Sequence, residues 1–534
     1  MNKVLKGLVA VAATAAMAIA GVAGASTAMA ADPTGGIKVA DGDTHTYSVY
    51  QIFTGTYGTD GSLGNVAAGK NFNTMNKAGT SGADLTAAEA AKTVSELNNS
   101  VPNSEKLETI NKFVNLGSVA FGTVSSGSNL PAPAGYYLAK DSETVTGDDA
   151  ATLYIVKVVG NQVVTITRKV AKPTFQKKVK DVNDSTGEGN VWQDSADYDV
   201  KDKVAFQLTA TLPTSKADFA AYKTYKLVFK DTQSAGLTYP EATGFTVKYE
   251  NTVVPANQYT LTLNPTTTTA DSTFTLTIND VKTLKDVAGS EIQVAADGKF
   301  TVEYESTLND KAVIGHNGNP NKASLEFSNN PNYTGEGESS PTGEGESSPT
   351  GEGESSPTGE TPEDKVIVFT YQLNVNKTFD QGAPAEGDMP QFKLYKKNSA
   401  GNYDPVGEEI TLSKGGTEAA PTYTGSFPRI DDGDYKLVES HTPAGYNTAA
   451  DTLFTVTADH DVLSDNPTLI SLKINQTDGD KTNGTVQANV VNKKGSNLPA
   501  TGGMGTTILY AAGAAIVLVA AFGIAFAVRR RNAR

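Results

Sequence analysis

The stretch Leu373-Asn374-Val375-Asn376-Lys377-Thr378-Phe379 alternates apolar and polar residues, which predicts a β-strand with one buried face. Successive side chains on a strand point to opposite faces, so Lys377 points to the face that the apolar residues bury. A lone buried ammonium is costly, so this position favours the neutral amine. The stretch therefore predicts a β-sandwich whose core contains a lysine side chain.

Two later segments of the same region supply a carboxylate and an amide. Tyr435-Lys436-Leu437-Val438-Glu439-Ser440 precedes a Thr-Pro-Ala-Gly-Tyr loop, and Val486 to Asn492 alternates so that Asn492 shares the valine face. This set resembles the collagen-adhesin B-type domain. The resemblance implies an immunoglobulin-like sandwich in which the Lys377 amine attacks the Asn492 carboxamide, releases ammonia and leaves an intramolecular isopeptide bond, with Glu439 assisting.

The chemistry that the resemblance implies needs neutral reactants. A protonated Glu439 polarises the amide carbonyl, and burial favours the neutral forms of both the carboxyl group and the Lys377 amine. Fixed proximity supplies most of the remaining rate enhancement. For Lys377 taken alone, the alternative is a surface lysine that extends its ammonium into water.

A second region, 171–333, repeats this pattern. Phe175, Lys177 and Val179 share one face of a strand, which favours Lys177 over Lys178 as the nucleophile. Asn329 lies in phase with Leu325 and Phe327. The segment Phe229 to Leu237 resembles the one that carries an assisting aspartate in A-type relatives, which implies this role for Asp231. Other residues noted here are the alternative acceptors Asn321 and Asn330, and Trp192 and Asp197, which match the family pattern.

The first region, 31–170, carries no comparable set of three residues. Its opening strand is His45 to Phe53, Leu85 to Leu116 is predicted to be helical with a capping box at Thr86-Ala87-Ala88-Glu89, and Tyr154 to Ile166 returns to strands. Val164-Thr165-Ile166-Thr167-Arg168-Lys169 resembles the V-x-V-Y-P-K motif of backbone pilins, with Thr and Arg in place of Tyr and Pro. The resemblance implies that Lys169 is the acceptor lysine between subunits, with Lys172 as its nearest competitor.

An acidic repeat follows the second region. Thr334 to Pro341 reads T-G-E-G-E-S-S-P and recurs at 342–349 and 350–357. It contains no apolar residue to bury, so residues 334–364 are predicted to be a disordered linker that lengthens the joint between the second and third domains. Duplication of a coding unit without a selected role is an equally good explanation.

Both ends of the chain carry targeting signals. Lys3 and Lys6, an Ala/Val-rich core and Ala28-Met29-Ala30 predict a signal peptide that is cleaved before Ala31. At the other end, Leu498-Pro499-Ala500-Thr501-Gly502 precedes an uncharged run and the tail from Arg529 to Arg534. These parts resemble the cell-wall sorting signal of Gram-positive surface proteins, which implies that a sortase cleaves between Thr501 and Gly502.

Composition excludes several classes of protein. The net charge of −15 argues against nucleic-acid binding, and the chain of 534 residues has no cysteine. The four histidines, His45, His316, His441 and His460, show no metal-ligand spacing, so no metal or cofactor is expected. There is no catalytic motif of a hydrolase, zinc protease or phosphate-binding loop, which favours a structural protein over an enzyme.

Taken over its whole length, the chain resembles a major (backbone) pilin of sortase-assembled pili. The expected fold is mainly β, with tandem immunoglobulin-like sandwiches, a helical insertion in the first domain and a C-terminal transmembrane helix in the precursor. The implied partners are a pilus-type sortase, neighbouring copies, ancillary pilins, and peptidoglycan reached through a housekeeping sortase, with host surface ligands as a further option. The alternatives are a monomeric wall-anchored adhesin and an ancillary pilin. The expected parts are a signal peptide (1–30), three domains (31–170, 171–333 and 365–497), a linker (334–364), the sorting motif (498–502), a transmembrane helix (503–528) and a basic tail (529–534).

Overall fold

The computed structural model describes residues 35–495 except 59–60, 98–102, 143–144, 146, 153, 169–171, 188, 223, 266–269, 332–357 and 419. The predicted signal peptide, acidic repeats, sorting motif and transmembrane segment lie outside the described residues. The described part is built mainly of β-strands that form successive sandwiches, so the predicted fold class is confirmed. Within it, no helix combines the length and apolar character needed to span a bilayer.

The first domain packs two sheets and a helical insertion around two apolar clusters. One sheet has the strand order β5-β1-β8, and the other has the order β3-β2-β6-β7 with β4 paired to β2. The strands are β1 Gly35–Val39, β2 Thr46–Tyr57, β3 Leu63–Ala68, β4 Gly122–Ser125, β5 Asn129–Ala132, β6 Gly135–Asp141, β7 Ile155–Val159 and β8 Val163–Ile166; the helices are α1 Ala87–Ser95 and α2 Asn103–Asn111, with a 3-10 turn at Thr80–Gly82.

The helical insertion begins with the predicted capping box. The Thr86 hydroxyl accepts from the backbone N–H of Glu89, and the Glu89 carboxylate accepts from the backbone N–H of Thr86. These two bonds satisfy donors that the first turn of a helix leaves free. Ala90, Ala91 and Val94 of α1 then pack into the core of the domain.

The second domain is a sandwich of two sheets whose orders are β10-β9-β12-β19-β15-β16, with β14 on β19, and β11-β22-β20-β13-β18-β17, with β21 on β20. Its elements are β9 Thr174–Val182, β10 Gly189–Gln193, β11 Ser195–Asp197, β12 Lys203–Thr211, α3 Lys216–Ala221, β13 Leu227–Gln233, β14 Leu237–Thr238, β15 Thr246–Tyr249, β16 Thr252–Val253, β17 Thr260–Asn264, β18 Ser272–Ile278, β19 Lys299–Leu308, β20 Asn319–Ser328, β21 Thr358–Glu360 and β22 Asp364–Phe369; 3-10 turns occupy Ala242–Gly244, Ala256–Gln258 and Val281–Thr283.

The boundary between the second and third domains differs from the predicted one. Strand β22 was expected to open the third domain, but it pairs with β20 and β11 of the second. Val366 and Val368 join the second-domain core, whereas Ile367 and Phe369 join the third-domain core. A strand buried on both faces reads as a continuous apolar run, which explains why the sequence did not reveal where one domain ends.

The acidic repeats are inserted within the second domain and do not lengthen the joint between domains. Thr358 pairs with Ser328, so the chain leaves β20 and returns beside it on β21. Residues 358–364 were assigned to the linker from sequence, but they form strand β21, its connection to β22 and the first residue of β22. The second and third domains are joined directly through Thr370, whose side chain is buried and donates to the Ile430 carbonyl at 3.1 Å.

The third domain is a sandwich with sheet orders β26-β27-β23-β32 and β25-β24-β28-β29-β30-β31. Strands β23 and β32, the first and last, are parallel neighbours. The strands are β23 Tyr371–Phe379, β24 Gln391–Lys397, β25 Tyr403–Thr411, β26 Ser413–Thr417, β27 Ala420–Ile430, β28 Gly433–His441, β29 Thr452–His460, β30 Leu469–Ile474, β31 Thr477–Asp478 and β32 Thr485–Asn492.

Candidate functional site

The three residues predicted from the third-domain sequence meet in its core. Lys377 on β23 and Asn492 on β32 come from adjacent parallel strands, and Glu439 on β28 reaches them from the facing sheet. Burial alternates along β23 and β32, and both Lys377 and Asn492 fall on the buried face, as the alternation predicted. The first and last strands of the domain therefore present a lysine and an asparagine to each other beside one carboxylate.

The contacts among these side chains are direct. The Lys377 ammonium donates to Asn492 Oδ1, and its Nζ lies 3.0 Å from Glu439 Oε1. Asn492 Nδ2 donates to the same Glu439 oxygen at 2.8 Å. The other oxygen, Glu439 Oε2, accepts from the backbone N–H of Ala449 at 2.7 Å, a contact that no pattern in the sequence indicated. The carboxyl group is thus fixed by a backbone donor while it faces both reactants.

Burial shapes the protonation chemistry of this group. The side chains of Lys377 and Glu439 have no exposed surface, and the Lys377 Nζ lies 5.1 Å from the centre of the Phe392 ring. Burial lowers the pKa of Lys377 below its ordinary value, against the opposing effect of Glu439. Transfer of one proton from Lys377 to Glu439 would remove both charges from the core and leave a neutral amine next to a carboxylic acid.

The second domain contains a related but differently built group. Lys177 lies on β9 of one sheet, and its ammonium donates to Asp231 on β13 of the facing sheet. Lys177 is fully buried, and burial lowers its pKa while Asp231 opposes that shift. Its neighbour Lys178 points the other way and pairs with Asp194, so the choice of Lys177 from strand phase agrees with the observed side-chain directions.

The structure does not bring the predicted acceptor Asn329 to Lys177. Asn329 lies beyond the end of β20, where its Nδ2 is 3.4 Å from the Asp149 carbonyl of the first domain. Asn321, the alternative, donates from Nδ2 to the Tyr304 hydroxyl at 2.8 Å, and Lys177 Nζ donates to the same hydroxyl at 3.1 Å. Both asparagines share one strand phase, but Asn329 lies about 26 Å further along at the usual rise per residue.

Two tyrosines complete the second-domain group and were missed from sequence. Tyr239 donates to Asp231 Oδ1 at 2.7 Å, and Tyr304 donates to Asp231 Oδ2 at 3.1 Å. Burial and then Asp231 raise the pKa of both phenols, so they remain donors. Tyr304 lies in phase with Phe300 and Val302 along β19, a signal that could have placed it in the core.

The residues predicted for joining subunits lie mostly outside the described part of the chain. These are Lys169 and the sorting-motif residues Leu498, Pro499, Thr501 and Gly502. The competing Lys172 is described; its side chain is 45% exposed and its Nζ lies 2.6 Å from Asp148. Just before Lys169, Arg168 is held by Asp149 at 2.6 Å.

The remaining noted residues of the second domain take no part in the lysine group. Trp192 is half-buried and packs under the Lys180 ammonium, 5.3 Å from the ring centre, which fits a packing role. Asp197 faces His460 of the third domain instead of Lys177.

Known families match two parts of the chain. Residues 193–331 match the family described as Gram-positive pilin backbone subunit 2, Cna-B-like domain. Residues 490–533 match the LPXTG cell wall anchor motif. These two matches confirm the resemblance to backbone pilins and to the sorting signal that the sequence indicated.

Individual proteins and solved structures are similar to this chain. The trypsin-resistant surface T6 protein of Streptococcus pyogenes serotype M6 is 25% identical over 152 residues, which cover 28% of this chain and about a quarter (24%) of that protein. The solved T6 backbone pilin of Streptococcus pyogenes, a modular three-domain structure, superposes with a TM-score of 0.50 at 16% identity and covers 88% of this chain and 100% of its own. The major pilin SpaD of Corynebacterium diphtheriae reaches a TM-score of 0.42 at 15% identity, covering 86% and 96%.

The anchor and the pilin domain together define the class of protein. The chain is a cell-wall-anchored surface protein with a pilin-type backbone domain, and its fold is similar to that of the T6 backbone pilin.

Proposed function

We propose that this chain is the shaft subunit of a covalently polymerised, wall-anchored pilus whose second and third domains each seal themselves with an isopeptide bond. The observation that carries the proposal is the buried contact of Lys377, Glu439 and Asn492, the last of which lies at the start of the matched anchor region, 490–533. A reactive amine, an amide and a shared carboxyl group in a dry core form a self-crosslinking site, and the anchor supplies a second, intermolecular amide-forming signal.

In the third domain the reaction joins Lys377 to Asn492. The neutral amine attacks Asn492 Cγ, the carbonyl oxygen takes negative charge, and the protonated Glu439 donates to it after the amide turns about its Cβ–Cγ bond. The C–N bond to the original amide nitrogen then breaks, and that nitrogen leaves as ammonia with protons relayed by Glu439. One amide and one amine thus become one substituted amide and one ammonia, and the carboxyl group is restored.

In the second domain we propose the bond between Lys177 and Asn321, with Asp231 in the role of Glu439. The amine and the amide lie on either side of the Tyr304 hydroxyl, which bonds to both. Asn321 Oδ1 is buried and has no hydrogen-bond partner among the described residues, so the carbonyl is not held away from an incoming donor. This bond would link the two sheets, whereas the third-domain bond would link two strands of one sheet.

Between subunits, the Thr501 carbonyl would be passed from a sortase thioester to the Lys169 amine of a neighbouring copy, with loss of the segment that begins at Gly502. The last subunit would be transferred to peptidoglycan. A crosslinked shaft of this kind also fits the trypsin resistance named for the T6 relative.

The test is polymer formation in a Gram-positive host that carries a pilus-type sortase. Wild-type chain should give a ladder that survives boiling in detergent, and Lys169→Ala should give only monomer. Lys172→Ala is the matched control and should keep the ladder. A wild-type chain that runs only as monomer contradicts the shaft and indicates a wall-anchored adhesin. A ladder lost in Lys172→Ala but kept in Lys169→Ala contradicts the choice of acceptor.

A further inference from the structure

Two amide side chains lie directly opposite each other in the second-domain core, next to the proposed bond between Lys177 and Asn321. The antiparallel register of β13 and β20 pairs Gln233 with Asn321, and neither residue has exposed surface. Directly opposed residues of such a pair point to the same face of the sheet, with their Cβ atoms about 5 Å apart. The two amide groups are therefore within reach of each other.

The orientation of the Asn321 amide is fixed by the Tyr304 hydroxyl. That hydroxyl donates its one hydrogen to Asp231 Oδ2 at 3.1 Å, so it accepts from Asn321. Asn321 therefore turns Nδ2 toward Tyr304, 2.8 Å away, and its Oδ1 lies on the other side of the amide. Because Asp231 meets this amide on the Nδ2 side, through Tyr304, the carbonyl oxygen needs a different donor.

The Gln233 amide is oriented in the complementary way. The buried Ser306 hydroxyl donates to Gln233 Oε1 at 2.7 Å, which leaves Nε2 as the other end of the amide. Among the described residues, neither Gln233 Nε2 nor Asn321 Oδ1 has a hydrogen-bond partner. Buried polar atoms without partners are rare because each one costs free energy. A free donor and a free acceptor on directly opposed residues point to a bond between them, which a small rotation of either side chain can complete.

We propose that Gln233 holds the Asn321 carbonyl oxygen while the second-domain bond forms. This role rests on the proposed bond between Lys177 and Asn321, and it divides the assistance between two residues. Asp231 exchanges the protons, and Gln233 Nε2 donates to the oxygen that becomes negative. A fixed donor at such an oxygen lowers the barrier because water is excluded and the donor needs no rearrangement.

The reaction balances without any change in Gln233. Lys177 first passes a proton to Asp231, and the neutral amine attacks Asn321 Cγ, so that the carbonyl oxygen takes negative charge beside the Gln233 N–H. The protonated Asp231 gives its proton through the Tyr304 hydroxyl to the departing Asn321 nitrogen, which leaves as ammonia, and regains one from the attacking nitrogen. The carbonyl then re-forms, and one amine and one amide have become one substituted amide and one ammonia.

The test is a time course of bond formation during cell-free synthesis of the chain Ala31–Thr501, followed by the loss of about 17 Da that Asn321→Ala removes. Gln233→Met keeps the length of the side chain but has no N–H, so bond formation should slow about 100-fold or more, the usual effect of losing one such donor. The matched control is Gln207→Met on β12, because the Gln207 amide bonds to Glu303 on the outer face of the sheet. It should keep the wild-type rate.

A second variant separates a hydrogen-bond donor from a packing residue. Gln233→Glu has a donor only while its new carboxyl group is protonated, so its bond formation, relative to wild type, should recover as the pH falls from about 8 to about 5. Gln233→Met should show no such recovery. Circular dichroism checks that each variant keeps its β-sandwiches.

A Gln233→Met chain that forms the bond at the wild-type rate would overturn the role of Gln233 and leave the bond between Lys177 and Asn321 standing. Equal slowing of Gln233→Met and Gln233→Glu at every pH would also overturn that role and make Gln233 a packing residue. A wild-type chain with no loss that depends on Asn321 would overturn the proposed bond itself, and the role of Gln233 with it.

Discussion

The buried lysines Lys377 and Lys396 differ in how many carboxylates surround the ammonium. Lys377 faces the single carboxylate of Glu439 and an amide, and its pKa is lowered by burial. Lys396 faces Asp184, Asp199 and Asp431, which together raise its pKa. One proton transfer neutralises the first site but not the second, so the number of acidic neighbours decides which lysine can act as a nucleophile.

Replacement of Glu439 tests whether its proton exchange with Lys377 is needed to form the third-domain bond. Glu439→Gln keeps the size of the side chain but removes the group that exchanges a proton with Lys377, so the bond should not form. Intact-mass measurement of Ala31–Thr501 should show one fewer loss of ammonia, about 17 Da, than wild type. Glu408→Gln, at an exposed strand position, is the control and should keep both losses. An unchanged number of losses in Glu439→Gln contradicts the proposed role.

The second-domain acceptor is tested by a pair of asparagine variants. Asn321→Ala should remove one loss of about 17 Da, because the amide beside the Tyr304 hydroxyl is gone. Asn329→Ala should retain it, because that side chain contacts the first domain. The opposite result would restore the acceptor predicted from sequence and contradict the one taken from the structure.

Strand alternation predicted the direction of the reactive side chains but not their position along the strand. Lys177, Lys377 and Asn492 all point inward as their phase required. Asn321 and Asn329 share the same phase, and the register that separates them is set by long-range pairing of β20 with β13 and β22. A period of two residues carries no information about that register.

At the scale of elements, the domain to which β22 belongs and the position of the repeat insertion were the features that could not be predicted from the sequence. The capping box of α1 was predictable because its signal is local. The division of the run Val366 to Leu373 into two strands could not be predicted. The two strands meet at Thr370, and threonine is not one of the turn signals, such as glycine or proline, that mark the end of a strand. Pairing of Ser328 with Thr358 then places the repeats within one domain, a contact that spans the very segment assigned to a linker.

Excision of residues 332–357 tests this placement. Because β20 and β21 pair on either side of the insertion, a four-residue turn can replace it without changing the order of the sheet. Loss of the longer loop should stabilise the second domain by about 1.5 kcal/mol through a smaller closure entropy. Urea unfolding in an Asn321→Ala background, where this domain carries no crosslink, measures the difference. A fall in stability contradicts the placement.

At the scale of the whole molecule, the proposed bonds divide the chain into closed and extensible parts. Residues 177–321 and 377–492 lie between bonded ends, so tension along a shaft would bypass them. The segment 322–376 lies between the two bonds and remains in the path of the force. It contains the end of β20, the acidic repeats, β21, β22 and the start of β23. Within the described residues these strands are held by hydrogen bonds and core packing, with no proposed crosslink among them.

Single-molecule pulling should therefore show a defined extension from the second and third domains. Wild type should release at most roughly 55 residues, about 190 Å of contour length, when β21 and β22 detach. Replacement of 332–357 by the four-residue turn should shorten this step by about 75 Å, and Asn321→Ala should add a step of about 500 Å as the unsealed second domain unravels. The excised variant is the control, because it changes the length without touching either bond. A wild-type step of about 500 Å or more would show that the second domain has no crosslink. The absence of any step would contradict the expectation that β21 and β22, which carry no crosslink, detach under load.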